Sequence, residues 1–157
     1  MEPCCETSGE ADRACPGCGR PGRSVERITV KAMLRPAALS RLDDAEHRFC
    51  TTSTCPVVYF GESATFKLDE IGVAVFQKEA PADRTVCYCF AITEGEIAEE
   101  LGKSGASTAV GRITALVKAD RCACEVKNPQ GSCCLGNVGM VVRSAAAAIG
   151  SAVGVET

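Results

Sequence analysis

The sequence has no tryptophan, and two tyrosines with five phenylalanines bring aromatics to only 4% of 157 residues. Apolar residues still make up 46%, so a packed core can form, but one poor in large side chains. Small cores of that kind are usually held by disulfides or metals. A single histidine, His47, leaves little basis for histidine acid–base or Ser-His-Asp catalysis. There is no Walker loop, no Gly-x-Gly-x-x-Gly after a strand and no Gly-x-Ser-x-Gly elbow. Gly102-Lys103-Ser104 resembles the end of a phosphate loop, but the required upstream glycine is missing. A net charge of −3 with no basic stripe excludes a nucleic-acid footprint. No membrane span is expected either. The apolar stretch 138–155 is mostly alanine and glycine and carries Arg143, Ser144 and Ser151, whereas a span needs about 20 strongly apolar residues.

What the sequence has instead is cysteine, twelve in all: Cys4, Cys5, Cys15, Cys18, Cys50, Cys55, Cys87, Cys89, Cys122, Cys124, Cys133 and Cys134. The amino terminus is acidic, lacks an apolar h-region and does not read as a secretory signal, so a cytoplasmic location is expected. Thiols stay reduced there, which disfavours a disulfide framework and favours metal ligation or catalysis. The cysteines also come in close pairs, and a close pair chelates one ion from one turn.

The chain divides by composition. Residues 1–14 read as a polar, disordered leader, 15–80 as a small zinc-ribbon-like antiparallel β unit, 81–150 as a helical unit and 151–157 as a flexible tail. The expected fold class is α+β. In the β unit, strands are expected at 25–34, at Val57-Val58-Tyr59-Phe60, at Thr65–Leu68 and at Val73–Lys78, with a short helix or irregular acidic stretch over 37–46. In the helical unit, Thr93-Glu94-Gly95-Glu96 is a capping box, opening a helix through Ile97 and Leu101 that Gly102 ends. Ser107 is expected to cap a second helix with apolar positions at Val110, Ile113, Leu116 and Val117. A third helix is expected from about Leu135 to Ile149.

Cys15-x2-Cys18 and Cys50-x4-Cys55 form two chelating pairs, each beside an expected strand. Zinc takes four tetrahedral thiolates, and a two-residue gap lets one knuckle supply two of them. Pro16 and Gly17 suit that turn, and Gly19 lets backbone approach the sulfurs. A closed four-thiolate site is structural rather than catalytic. The competing reading is four unrelated buried thiols. His47 stands close to Cys50, but a solvated surface histidine is the expectation, as is a solvated face for Asp43, Asp44 and Glu46.

The second half carries Cys87-x-Cys89, then Cys122-x-Cys124 and Cys133-Cys134. A Cys-x-Cys gap is unusual for zinc and suits a [2Fe–2S] centre, which four thiolates hold. Two short helices would fit between Cys89 and Cys122 and bring both cysteine loops to one end. A second zinc site is the alternative.

At these residues the chain resembles a known family. Cys87-Tyr88-Cys89-Phe90, Cys122-x-Cys124-Glu125, Asn128-Pro129-x-Gly131 and Cys133-Cys134-Leu135-Gly136 are similar to the amino-terminal metal-binding domain of CopZ-type copper chaperones. So are Cys15-Pro16-x-Cys18-Gly19 and Cys50-x4-Cys55-x-Val57-Val58-Tyr59-Phe60-Gly61, the likeness running over residues 14–142. The resemblance implies one zinc and one [2Fe–2S] cluster per chain, the cluster half being similar to bacterioferritin-associated ferredoxins. It favours Cys124 and Cys134 beside Cys87 and Cys89 as cluster ligands, with Cys122 and Cys133 as the alternates or as resolving thiols. Full CopZ-type chaperones follow this region with a heavy-metal-associated domain bearing a Cys-x-x-Cys copper loop, and no cysteine follows Cys134 here. The vicinal pair Cys4-Cys5 is a candidate for capturing soft ions such as Cu(I), Hg(II) or arsenite.

The resulting expectation is an electron-transfer or metal-binding protein, rather than an enzyme with its own substrate, that works in copper homeostasis or metal resistance. It would pass single electrons, for example reducing Cu(II) to Cu(I), and serve a metal-transport or redox partner. The alternative is a non-redox soft-metal binding or sensing module that uses Cys4-Cys5.

Overall fold

A computed structural model describes residues 14–153, the side chains of 151–153 excepted. The chain forms two compact units. The first comprises the described residues up to Glu79 together with Pro129–Gly131; the second comprises Ala80–Asn128 and the chain from Ser132 onward. The fold class is α+β, with one four-stranded antiparallel sheet and several helices.

The sheet of the first unit is ordered β1 (Arg23–Val25), β2 (His47–Phe49), β3 (Val57–Gly61) and β4 (Thr65–Lys67). Phe49 stands opposite both Arg23 and Tyr59, which aligns β2 centrally between its neighbours. The excursion between β1 and β2 holds helix α1 (Arg27–Met33) and a 3-10 turn at Pro36–Arg41. The expected strand over 25–34 is therefore corrected: only its first residue, Val25, belongs to a strand. The buried positions there are Thr29, Val30 and Met33, and Leu34 follows, which is helical spacing. Imperfect alternation of apolar and polar residues suggests a strand, but packing of that face selects the helix. The expected strand at Val73–Lys78 is also corrected, to a 3-10 turn at Phe76–Lys78.

Strand β3 departs from simple alternation. Val58 and Tyr59 both join the main core, with Val30, Met33, Phe49, Phe66, Ile71 and Val75. Val57 and Phe60 instead join Cys15, Cys50 and Cys55. A register shift between Val57 and Tyr59 explains this, because a bulge turns successive side chains to one side. One strand thus serves two buried faces. Burial of a large apolar side chain contributes about 1.5–3 kcal/mol, and Tyr59, Phe49, Phe60 and Phe66 are the largest fully buried side chains described. The Tyr59 hydroxyl donates to the carbonyl of Pro129, and Gln77 Nε2 donates to Gln130 Oε1 at 2.7 Å. Gly131 sits at φ 71° with the site of its missing Cβ 2.9 Å from Thr29 Oγ1 and 3.0 Å from Val25 Cγ2. Only glycine suits both that backbone conformation and that space.

The second unit begins with a hairpin, β5 (Thr85–Cys87) and β6 (Ile92–Thr93). Thr93 then caps α2 (Glu94–Ser104) in the reciprocal arrangement its sequence announces: Glu96 N–H donates to Thr93 Oγ1 and Thr93 N–H to the Glu96 carboxylate. The helix runs past Gly102 and ends at Gly105, whose φ of 75° supplies the left-handed cap. Helix α3 (Ala109–Lys118) takes Thr108 as its N-cap residue. Ser107 Oγ accepts from Ala109 N–H, and Glu100 accepts from the Thr108 N–H and hydroxyl, so α2 supplies acceptors to the start of α3. Of the four apolar positions expected on α3, Ile113 is buried, Leu116 and Val117 are half-buried and Val110 is exposed. A short turn of helix, α4 (Cys124–Lys127), precedes the long α5 (Leu135–Val153), against which α2 and α3 pack. Ser151–Val153 are thus helical rather than part of the expected flexible tail. No described helix is long and apolar enough to cross a membrane.

Arg84 and Glu94 tie the hairpin to α2. Both side chains are about one-seventh exposed, at 14% and 13%, and the guanidinium grips the carboxylate through Nε at 2.7 Å and a terminal nitrogen at 2.6 Å. Hydrogen bonding from Arg84 holds the Glu94 carboxyl below its ordinary pKa. A depressed carboxyl pKa stabilises above the ordinary glutamate range, and that stability is lost as pH falls through the depressed value. Glu94→Gln is expected to cost the helical unit about 2–3 kcal/mol at neutral pH. The deficit should shrink below about pH 4, where wild type loses the same contribution. Urea unfolding followed by helical circular dichroism across pH checks both.

Candidate metal centres

The first-unit cysteines are brought together by three chain segments. Cys15 and Cys18 lie on a turn ahead of β1, where Gly19 N–H donates to the Cys15 carbonyl at 2.8 Å. Cys50 directly follows β2, and Cys55 stands two residues before β3. All four sulfurs lie within 4.8 Å of one another. Cys15 and Cys55 sulfurs are 3.7 Å apart, and so are those of Cys18 and Cys50. A tetrahedral ion with zinc–sulfur bonds of about 2.3 Å requires sulfurs about 3.8 Å apart. The observed pairs match that edge, so these residues fit a four-cysteine zinc site. Three of the four are buried and Cys18 is half-buried.

Gly17 is what lets the turn close. A Cβ there would lie 2.7 Å from Cys55 Sγ and 2.9 Å from a Val57 methyl. Its own N–H points at Cys15 Sγ, 3.4 Å away. The thiols are unequal. Cys18 is held down to about 6, first by its hydrogen bond with the Thr52 hydroxyl, 3.3 Å away. Burial pushes Cys15 up to about 12 and also raises Cys55. A metal must therefore displace protons from buried thiols as it binds. Lys78 Nζ stands 3.4 Å from Cys50 Sγ and donates to the Thr52 carbonyl at 2.6 Å.

His47 takes no part. It is 1% exposed rather than solvated, because its place in β2 sets it opposite Gly61, where the absent side chain leaves room for the ring. Asp43 lies 3.5 Å from its Nε2, while Asp44 and Glu46 are exposed.

The second-unit cysteines gather differently. The hairpin presents Cys87 at the end of β5 and Cys89 in the turn, which Ala91 closes at a φ of 54°. Cys124 is the first residue of α4, and Cys134 immediately precedes α5. Cys89 and Cys124 sulfurs are 3.6 Å apart, and Ala123 N–H donates to Cys89 Sγ at 3.2 Å. The Cys87 and Cys134 thiols influence each other's ionisation. Cys87 is held down to about 6 by its partner, while Cys134 is raised by the same interaction. Burial pushes Cys124 up to about 12. Cys122 is half-buried and Cys133 exposed. Among the described residues, the first-unit quartet alone has three or more ligand atoms within single-ion reach. The pair Cys4-Cys5 lies outside the described residues.

Comparison with known proteins agrees with the first site. Residues 12–72 match the CopZ family model described as a zinc binding domain. The copper chaperone CopZ of Archaeoglobus fulgidus is 36% identical over 120 residues, which is 76% of this chain and 57% of that protein. The chain thus spans a little over half the length of that relative. The X-ray structure of the Archaeoglobus fulgidus CopZ N-terminal domain superposes with a TM-score of 0.70 at 34% identity, covering 82% of this chain and 96% of that one. By sequence, by fold and by its four-cysteine site, the chain belongs to the CopZ family, in the part represented by the zinc-binding N-terminal domain.

Proposed function

We propose that the chain is a zinc-stabilised [2Fe–2S] protein that supplies single electrons in the handling of copper or another soft metal. The observation that carries this reading is the pairing of the second-unit sulfurs. A binuclear centre shares four thiolates between two metal ions, so it calls for two close pairs rather than one quartet. Cys89 with Cys124 is such a pair at 3.6 Å, Cys87 is held low by its interaction with Cys134, and no described group beyond the zinc quartet has the compactness a second zinc would need. Cys87, Cys89, Cys124 and Cys134 would hold the cluster, leaving Cys122 and Cys133 beside it. A [2Fe–2S] centre exchanges one electron at a potential set by hydrogen bonding, charge and exposure.

The chain's own contribution is to fix and polarise those thiolates. The Ala123 amide aimed at Cys89 stabilises negative charge on that sulfur, and the low pKa of Cys87 keeps it deprotonated for ligation. Cys134 stands at the amino end of the long α5, where the helix dipole favours an anionic ligand. Copper is the metal suggested by the relative's name, and soft thiolate chemistry suits it. A metal-transport or redox protein would be the partner, and the cytoplasm the compartment that keeps these thiols reduced.

Anaerobically purified protein is expected to be brown, with about two irons, two sulfides and one zinc per chain, and to bleach reversibly with dithionite. Serine at Cys87, Cys89, Cys124 or Cys134 should abolish the colour, whereas Cys122→Ser and Cys133→Ser should keep it. Mixed with Cu(II) and a Cu(I) chelator, reduced protein should regain its oxidised spectrum as one Cu(I) forms per cluster. A colourless protein holding two zincs and no sulfide would defeat the reading.

Zinc removal gives a separate expectation. Because four-thiolate zinc contributes folding energy directly, a strong chelator should lower the melting temperature of the first unit, and Cys50→Ser should do the same without chelator. Unchanged melting in zinc-free protein would show that the sheet stands without the ion.

A further inference from the structure

The zinc quartet has a charged neighbour that ligation does not use. Four thiolates around a divalent zinc carry a net charge of about −2, and excess charge of that kind makes the sulfurs nucleophilic. Gly17 N–H and the Thr52 hydroxyl offer neutral dipoles to Cys15 and Cys18. Cys50 receives a full positive charge, because Lys78 Nζ lies 3.4 Å from its sulfur. The ammonium is not free to wander. It donates to the Thr52 carbonyl at 2.6 Å, its side chain is half-buried, and the 3-10 turn at Phe76–Lys78 starts from the fully buried Val75. Thr52 therefore braces both sides of the site: its hydroxyl meets Cys18, and its carbonyl holds the lysine that meets Cys50.

We propose that Lys78 is the charge partner of the zinc site, quenching the nucleophilicity of Cys50 so that attack on the centre begins at Cys18. Cys18 is the one quartet member that is half-buried rather than buried, and no cation is bonded to it among the described residues. An electrophile or an incoming soft metal ion meets the neutral side of the site first. The lysine thus decides where the zinc centre opens and slows its loss, while leaving the ligand set unchanged. Outer partners that bond to metal-bound ligands commonly tune a site in this way.

The test uses the full chain loaded with zinc and N-ethylmaleimide, which adds a thiolate sulfur across its carbon–carbon double bond and takes a proton from water. Zinc release is followed with a chromogenic zinc indicator, and the order of cysteine modification is followed by mass spectrometry. Lys78→Met is expected to release zinc about tenfold faster, the factor of one charge-assisted hydrogen bond. Cys50 should move from last to among the first residues modified. Lys78→Arg, which restores the charge, should return both readouts toward wild type. Thr52→Val should hasten modification of Cys18 and leave Cys50 late, since the backbone carbonyl that holds Lys78 remains. If Lys78→Met retains no zinc, Lys78→Gln decides instead, because it keeps a donor and removes only the charge. Wild-type release rates and an unchanged modification order in the charge-free variant would overturn the proposal. So would equal acceleration in Lys78→Arg.

Discussion

The first unit depends on four sulfurs that must stand one tetrahedral edge apart. Cys15 and Cys18 come from a turn before β1, while Cys50 and Cys55 flank the link between two adjacent strands, so an ion bound by all four pins three chain segments at once. With strands of three to five residues, this sheet has little ladder to hold it. Its other support is a core containing three of the four largest fully buried side chains, the fourth, Phe60, lying against the cysteines. The bulge in β3 reconciles these demands by sending Val57 and Phe60 to the sulfurs and Val58 and Tyr59 to the core. Gly17 is the backbone counterpart of that arrangement, since a Cβ there would press on the Cys55 sulfur from 2.7 Å.

The second unit has a different balance. Its buried apolar positions are Val86, Ile92, Ile97, Leu101, Ala109, Ile113, Val138 and Val141, together with Cys87, Cys124 and Cys134. No aromatic side chain is fully buried there. Three of its core positions are thus thiols, the ones proposed as cluster ligands. A core of that composition gains much of its definition from polar devices at its joints: the capping box at Thr93, the Arg84–Glu94 fork and the acceptors that Glu100 offers to α3. These act locally, which is why a sequence can announce them.

Much of the site was readable because ligand spacing is a local property. The gaps Cys15-x2-Cys18 and Cys50-x4-Cys55 mark the quartet that the fold brings within reach of one ion, and Thr93 to Glu96 marks a helix start to the residue. Misreadings arose where local preference and packing disagree. Val25–Leu34 alternates imperfectly between apolar and polar residues, yet the burial of Val30 and Met33 makes it helix α1. Gly102 looked like a helix end, but α2 needed a left-handed residue to stop, and Gly105 provides it. A solvated His47 is the sequence expectation, whereas its burial follows from standing opposite Gly61, a pairing that only the register reveals. The contact between Lys78 and Cys50 joins residues 28 apart and carries no sequence signature.

The inclusion of Pro129–Gly131 in the first unit has a consequence for how the chain is made. Every cysteine of the zinc quartet is synthesised by residue 55, so metal can be captured while translation continues. The acceptor for the buried Tyr59 hydroxyl, and the glycine that fits against Thr29 and Val25, arrive only some fifty residues after Glu79. At about 5–20 residues per second this is an interval of roughly 3–10 seconds. During that interval the nascent unit holds its ion with part of its core still open. Zinc therefore acts first as a placeholder for a core that the chain completes later.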